Sequence, residues 1–381
     1  MLNHEDIVIA YDAKRAFLNQ RGLGNYSRTL LAQMKRFYGH NRYILCTPED
    51  KHLYPWLSEA PFEKVMPQGL WQLAPSVWRR FGIAPALKDQ HIDIYHGLSQ
   101  ELPKGIEHLG CKTIVTMHDA IFMRYPQLYS ATYRASFIRR NQSACERADC
   151  IIAISEQTKK DFINFFGVAE NRIRVVYQGC NERYWQDMTP QEVAAVAARY
   201  QLPKDYILSV GAVEERKNYV RLIQAMAAAS IDLPLVIVGR GNERQVRLLQ
   251  ETAKRYGVSL QLIDNARTED LPAIYQQAAV FVYPSLFEGF GIPILEAARC
   301  QTPIVTSSGT CFEEIAGEGA LYVPPTDEQA IGQAIRESLE KREETKQRVL
   351  TALAETEKFR AENIAQHLMQ TYYETIHGAI G

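Results

Sequence analysis

The sequence predicts two doubly wound α/β domains in tandem, and three observations carry that reading. At 381 residues the chain is long for one hydrophobic core and comfortable for two. Short apolar runs alternate with segments of helical spacing, the pattern of a parallel sheet covered by helices. The alternation comes as two successive sets, separated by residues 179–204, which contain Pro190 and Pro203. The expected division is 1–185, 186–358 and a closing helix at 359–381, with the hinge within 179–204. Two such sheets imply a cleft at the carboxyl ends of their strands, where ligands bind, and closure about the hinge would exclude water.

In the first set, strands are expected at 7–11, 43–46, 93–96, 113–117, 150–154 and 174–177, and helices at 26–37, 133–147 and 158–166. An alanine-rich helix near 191–200 lies inside the hinge. The second set has strands at 206–210, 235–238, 260–263, 280–283, 303–306 and 320–323. Its helices are expected at 219–229, 244–256, 270–277, 293–299 and 327–341. The last segment, 345–376, is strongly helical with a break near Phe359. It has no strand to return to, so it either covers the second domain or crosses back to the first.

Composition narrows the function classes. Hydrophobic residues make up 46% and charged residues 23%, as in an ordinary globular protein, and the net charge of −1 gives no reason to expect a nucleic-acid partner. Asn3, His4, Glu5 and Asp6 do not begin a leader peptide, and no apolar stretch approaches bilayer-spanning length. The seven cysteines are odd in number and form no C-x-x-C, which suits reduced thiols in a cytoplasmic protein. Nine histidines without H-E-x-x-H, and no D-x-D, give no expectation of a metal.

The stretch 285–296, S-L-F-E-G-F-G-I-P-I-L-E, reads as the turn and helix that follow a buried strand. Pro293 suits the first helical turn, and Gly289 and Gly291 let the backbone approach a ligand at a helix start. Glu288 and Glu296 bracket this turn. A retaining hydrolase needs carboxyls about 5–5.5 Å apart, whereas eight helical residues span on the order of 12 Å. The two acids should therefore grip different parts of one ligand; a capping carboxylate and a surface helix residue are the structural alternative.

Other strand ends carry chemistry. Gly22 and Gly24 precede the helix expected at 26–37, but Asp12 lies ten residues before Gly22 and Ser27 stands at the third glycine position, so the stretch fails as a dinucleotide fingerprint. His118 and Asp119 follow the run T-I-V-T-M at the end of a buried strand. After Gly211 comes a loop with Arg216 and Lys217, cations suited to a diphosphate leaving group, or a solvated pair. Gly239 and Gly241 form a further turn, and 264–268 is a candidate base-pocket loop. Residues 71–81, W-Q-L-A-P-S-V-W-R-R-F, place Leu70, Ala74, Val77, Trp78 and Phe81 on one helical face beside Arg79 and Arg80. Packing against the first domain accounts for that face, with membrane or acceptor contact as the alternative.

Together these stretches resemble the retaining glycosyltransferases of the GT-B fold known as family four, and within it the mannosyltransferase-like branch that assembles O-antigen and other polysaccharides. The resemblance runs through Y-D-A-K-R, R-G-L-G-N-Y-S-R-T-L, M-H-D-A-I-F, S-V-G-A-V-E-E-R-K-N, S-L-F-E-G-F-G-I-P-I-L-E and E-E-I-A-G-E-G-A-L-Y-V-P-P-T-D. It implies two Rossmann-like domains, the first on the acceptor side and the second on the nucleotide-sugar side, with the last helix crossing back to the first. It further implies that Glu288, assisted by N–H groups around Phe290 and Gly291, meets the donor sugar, and that Glu296 binds the ribose. Arg216 and Lys217 would hold the diphosphate, approached also by Gly22 and Gly24, while His118 would touch the sugar near the reacting carbon. Gly211 and Gly239 would lie along the donor.

The implied reaction moves a hexose, mannose from GDP-mannose, to a saccharide or lipid-linked saccharide without a metal or other cofactor, in the cytoplasm or peripherally at the inner membrane face. First-domain loops such as 123–133 would form the acceptor side. A nucleotide-sugar epimerase or phosphorylase on the same fold, or a sugar-nucleotide-binding protein without catalysis, are the competing readings.

Overall fold

A computed structural model of the chain describes residues 6–378; Asn3, His4 and Glu5, on which the expectation of no leader partly rests, lie outside the described residues. The chain divides into two compact units, Met1–Gln178 with Ala361–Gly381, and Gly179–Arg360. The first break thus comes at Gln178, where the sequence reading placed 185. The helix inside the expected hinge, Pro190–Tyr200, starts with a full capping box between Thr189 and Glu192. It belongs to the second unit, where Arg199 and Tyr200 both bond the Asp270 carboxylate at 2.7 Å.

The first unit holds a seven-stranded parallel sheet: β1 (Val8–Asp12), β2 (Arg42–Cys46), β3 (Phe62–Val65), β4 (Ile94–Gly97), β5 (Lys112–Met117), β6 (Cys150–Ala153) and β7 (Ile173–Val175), in the order β3-β2-β1-β4-β5-β6-β7. Edge strand β3 was not anticipated. Of its four residues only Phe62 is buried while Glu63 and Lys64 face solvent, so it carries too little apolar pattern to announce itself.

The second unit holds β8 (Ile207–Val210), β9 (Leu235–Val238), β10 (Leu260–Ile263), β11 (Val280–Tyr283), β12 (Ile304–Ser307) and β13 (Leu321–Val323), ordered β10-β9-β8-β11-β12-β13. Strands such as LVIV and VFVY are buried throughout because helices cover both faces. Each sheet reverses its winding once, between β1 and β4 and between β8 and β11. Open α/β sheets bind ligands beyond the carboxyl ends of the strands at such switch points.

The closing helix, Ala361–Ile376, packs on the first unit, resolving the choice the sequence left open. Its buried Tyr372 hydroxyl lies 3.1 Å from that of Tyr11 and 2.7 Å from His96 Nδ1, and Glu374 pairs with Arg174 at 3.2 Å.

Two local expectations fail. Residues 71–81 do not form one amphipathic helix: a 3-10 turn, Gly69–Leu73, ends at Ala74, and Pro75 starts a separate helix, Pro75–Phe81. With the face broken, Trp78 packs inside at 1% exposure while Leu70, at 85%, and Val77 and Phe81 stay exposed, as does the neighbouring Leu73, so packing accounts for only part of the face. The helix expected at 26–37 begins already at Gly22, which places both glycines inside its first turn rather than ahead of it.

Candidate functional site

The switch point of the second sheet carries the densest charge cluster among the predicted residues. Beyond β8 the chain passes Gly211 and a 3-10 turn, Glu215–Lys217; beyond β11 it runs through Glu288 into the helix Ile292–Arg299. The Leu286 N–H donates to the Arg216 carbonyl at 2.9 Å, so the two loops are tied backbone to backbone. Lys217 Nζ donates to Glu288 Oε1 and to the Tyr283 hydroxyl, both at 2.6 Å, and the Tyr283 hydroxyl in turn donates to Glu288 Oε1 at 3.1 Å. Arg216 pairs with the other carboxylate oxygen of Glu288, and with Glu214, and donates to the Phe287 carbonyl at 3.0 Å.

These side chains are nearly dry, with Lys217 9%, Glu288 13% and Arg216 18% exposed. Burial alone would raise the Glu288 carboxyl, but Lys217 and Arg216 outweigh it and hold the group at about 2. Burial pulls the Lys217 ammonium below its usual range, with Glu288 opposing and Arg216 adding to the shift. Burial also acts against the Arg216 charge, and Glu288 and Glu214 more than offset it. The result is a fixed anion gripped by two cations that can also meet phosphate oxygens.

Glu296, in the helix after the turn, sits in different company. Its Oε2 accepts from the Tyr275 hydroxyl at 2.9 Å. Burial raises the carboxyl to about 7, and the phenols of Tyr275 and Tyr184 only partly counter it. Gly291 caps this helix at φ 137°, a conformation that side chains rarely adopt. Phe290 points into the core, its ring edge-on to Phe359 at 5.7 Å, while its carbonyl and that of Glu288 both accept from the Cys311 thiol. Gly239 follows β9 beside Gly211, where an added Cβ would come within 1.8 Å of the Gly211 carbonyl oxygen. Chain packing, independent of any ligand, therefore requires that glycine.

In the first unit, His118 directly follows β5 and is 5% exposed. Its Nε2 lies 2.8 Å from the Leu98 carbonyl, which can only accept, so Nε2 carries the proton and Nδ1 the lone pair. Burial lowers the imidazole to about 4, the Leu98 bond opposing and Arg15 adding, which keeps it neutral at pH 7. Tyr26 stands edge-on to it at 4.7 Å and comes from the helix Gly22–Phe37 that both predicted glycines begin. Gly22 has open space at its Cβ position, whereas a Cβ on Gly24 would meet the Asn19 carbonyl oxygen at 1.7 Å. Gly24 is thus held by local packing as well.

The structure brings Arg216, Lys217 and Glu288 into direct contact, with Gly211 beside them, and leaves Glu296 in its own tyrosine-lined setting. Tyr283 and Tyr275 were missed. Each is the polar tip of a buried aromatic, and the only available signal for Tyr283 was its place as the last residue of the strand before the turn. Among the described residues, no group of three or more His, Cys, Asp or Glu side chains is placed to hold a metal ion, and no helix is long and apolar enough to cross a membrane.

Residues 197–352 match the family described as glycosyl transferases group 1, and residues 20–184 match glycosyltransferase family 4. The O-antigen chain mannosyltransferase B of Escherichia coli is 32% identical over 75% of this chain and 76% of its own. The serotype-specific mannosyltransferase WbdA of the same organism is 28% identical over 87% of this chain, which spans 43% of that longer protein. Among solved structures, Anabaena Alr3699/HepE in complex with UDP and glucose gives a TM-score of 0.77 at 18% identity, covering 97% of this chain and all of the other. The lipopolysaccharide-biosynthesis glycosyltransferase WaaG gives 0.65 at 17%, covering 98% of each chain. At those identities the likeness is one of fold.

Proposed function

The chain belongs to the group 1 glycosyltransferases, and from that footing we propose that it moves mannose from GDP-mannose to a saccharide or lipid-linked saccharide, with retention of configuration. The observation that carries the reading is the Arg216–Lys217–Glu288 contact at the switch point of the second sheet. The choice of mannose is supported by the mannosyltransferase relatives, at modest identity.

In this reading the donor diphosphate takes the place of Glu288 as partner of Arg216 and Lys217. Their charge stabilises the nucleotide as the glycosidic bond breaks. Glu288, released from part of its ion pairing and still anionic, accepts hydrogen bonds from the hexose hydroxyls. Glu296 binds the ribose. The acceptor hydroxyl attacks from the face the phosphate leaves, and that phosphate takes its proton. The proposal includes no metal or other cofactor. The roles that the resemblance gives Gly22, Gly24 and His118 toward the donor belong to it too, as does peripheral contact with the inner membrane face through the exposed Leu70 and Leu73.

A thermal-shift screen of GDP-, UDP- and dTDP-sugars, followed by mass spectrometry of products with candidate acceptors, tests this reading. GDP-mannose should give the largest shift and the acceptor should gain one hexose. A larger shift with a UDP-sugar would replace the donor. Release of an epimerised nucleotide sugar, or of a sugar phosphate in phosphate buffer, would replace the reaction.

A further inference from the structure

Three neighbouring strands of the first sheet turn polar side chains into one covered face. Tyr11 of β1 and His96 of β4 are register partners, and Thr116 of β5 lies two residues beyond Ile114, the other register partner of His96, on the same face. All three are fully buried, as is Tyr372 of the closing helix. These groups bond in a row. The Tyr372 hydroxyl lies 3.1 Å from that of Tyr11 and 2.7 Å from His96 Nδ1, and His96 Nε2 lies 2.8 Å from Thr116 Oγ1. Thr116 Oγ1 lies 3.1 Å from the hydroxyl of Tyr26, in the helix Gly22–Phe37. Covered strands of a parallel sheet are ordinarily apolar, and replacing a bonded polar pair by apolar groups of the same shape can be nearly neutral. Stability alone therefore does not call for such a row.

Hydrogen counting gives the row a direction. Burial, with His118 adding, lowers the His96 imidazole to about 3, so at pH 7 the ring carries one hydrogen. Five groups with one hydrogen each then share four bonds, which leaves one hydrogen over. A buried hydroxyl without an acceptor is costly, and Tyr26 is the one member of the row with solvent exposure. The spare hydrogen therefore sits on Tyr26 and every bond runs toward it. Tyr11 donates to Tyr372, Tyr372 to His96 Nδ1, His96 Nε2–H to Thr116, and Thr116 to Tyr26.

Tyr26 in turn meets His118, with the two rings at 88° and their centroids 4.7 Å apart. The Leu98 carbonyl fixes one corner of that imidazole at Nε2, and the phenol packed against the ring limits rotation about that corner. We propose that Tyr26 is a positioning residue for His118, held at its own hydroxyl by the buried row that ends on the closing helix. What His118 then does rests on the transferase reading above; what holds it does not.

Nitrogen-15 spectra of the histidine rings, assigned with His96→Gln and His118→Gln, read the row directly. At pH 7 His96 and His118 should each carry a single hydrogen, on Nε2. A hydrogen on Nδ1 of His96 would reverse the row and overturn the proposal. Tyr26→Phe keeps the ring and removes the hydroxyl. It should shift the His118 ring signals and lower kcat about fivefold or more, because a displaced contact near the reacting centre acts on the chemical step, while GDP affinity, which involves no sugar, stays unchanged. Thr116→Val should reproduce these changes, and Thr116→Ser, which keeps the hydroxyl, should restore the parent values. A hydroxyl that only stabilises the fold would lower the melting temperature and leave turnover and the His118 signals alone. Unmoved His118 signals in Tyr26→Phe, a smaller loss of turnover, an equal loss of GDP affinity, or like behaviour of the serine and valine variants would each overturn the proposal. A parent that transfers no hexose, with His118 signals that still respond to Tyr26→Phe, would defeat the transferase reading and leave the positioning of His118 standing.

Discussion

Glu288 and Glu296 stand eight positions apart in one strand–turn–helix segment, and the fold treats them in opposite ways. Glu288, before the helix, is gripped by Lys217 and Arg216 and held ionised at about 2 against the pull of burial. Glu296, inside the helix, meets phenols instead of cations, and burial carries it up to about 7. Two carboxyls of the same chemistry become a permanent anion and a group that changes charge near neutrality. Neighbours, rather than residue type or depth, decide which, because both are largely dehydrated. The permanent anion also keeps two buried cations in place, so its loss should be felt well beyond itself.

The comparison breaks most sharply at Glu288. Replacing it with Ala should lower turnover by a factor on the order of 10² to 10³, the usual scale for losing one preorganised electrostatic group, while nucleotide diphosphate affinity changes far less. Because Lys217 and Arg216 then lose the carboxylate they share in a buried site, with Glu214 left as partner to Arg216, Glu288→Gln should accompany it, keeping the shape and removing only the charge. Steady-state kinetics with calorimetry on both variants checks this, and full activity in either would remove Glu288 from the reaction. Next in size, Arg216→Ala should reduce kcat by about 10² through lost stabilisation of the leaving diphosphate. It should also let the acid limb of the kcat/KM profile, which reports the free enzyme, rise toward the ordinary carboxylate range, since one of the two cations holding Glu288 down is gone. An unchanged turnover number would contradict the assignment.

Much of the frame around this pair can be read from the chain. The expected strands 235–238, 260–263 and 280–283 coincide with β9, β10 and β11: β9 and β11 are buried apolar runs cut off by turn residues, and the half-buried β10 keeps three apolar residues in four. Strand β3, with one buried residue in four, offers no such run. At 71–81 the helical face looked continuous because spacing arithmetic ignores Pro75, where the structure restarts the helix and strands Leu70 and Leu73 outside. The site is legible as a set of strand-end residues, but its wiring is not. Lys217 meets Tyr283 across 66 positions and Glu288 across 71, and no local pattern encodes such a contact. The glycines show the converse error. Gly24 and Gly239 suggest ligand approach, yet the nearest obstacle to a side chain at each is the protein's own backbone. The polar row that ends at Tyr26 escaped notice because its members are dispersed from Tyr11 to Tyr372 and converge only in the fold.

The smallest expected effect sharpens the contrast most cleanly, because it concerns Glu296 alone. A carboxyl raised in the folded state binds its proton more tightly there than in the unfolded chain. It therefore contributes full stability below the unfolded value of 4.5 and loses that contribution as pH climbs toward 7. His118 and His96 work in the other sense. Burial lowers them to about 4 and about 3, so their contribution is present above 6.5 and is lost as pH falls. The raw pH profile of the protein mixes these slopes, but the difference between Glu296→Gln and the parent cancels the histidines. That difference should favour the variant at pH 8 over pH 5 by roughly 2 kcal/mol, less than the full shift because the largely buried Glu296 retains some solvent contact. Thermal melts of both proteins at the two pH values measure it. Parallel profiles would mean that Glu296 is already ionised in the fold, and the opposition between the two glutamates would then be one of partners and not of charge.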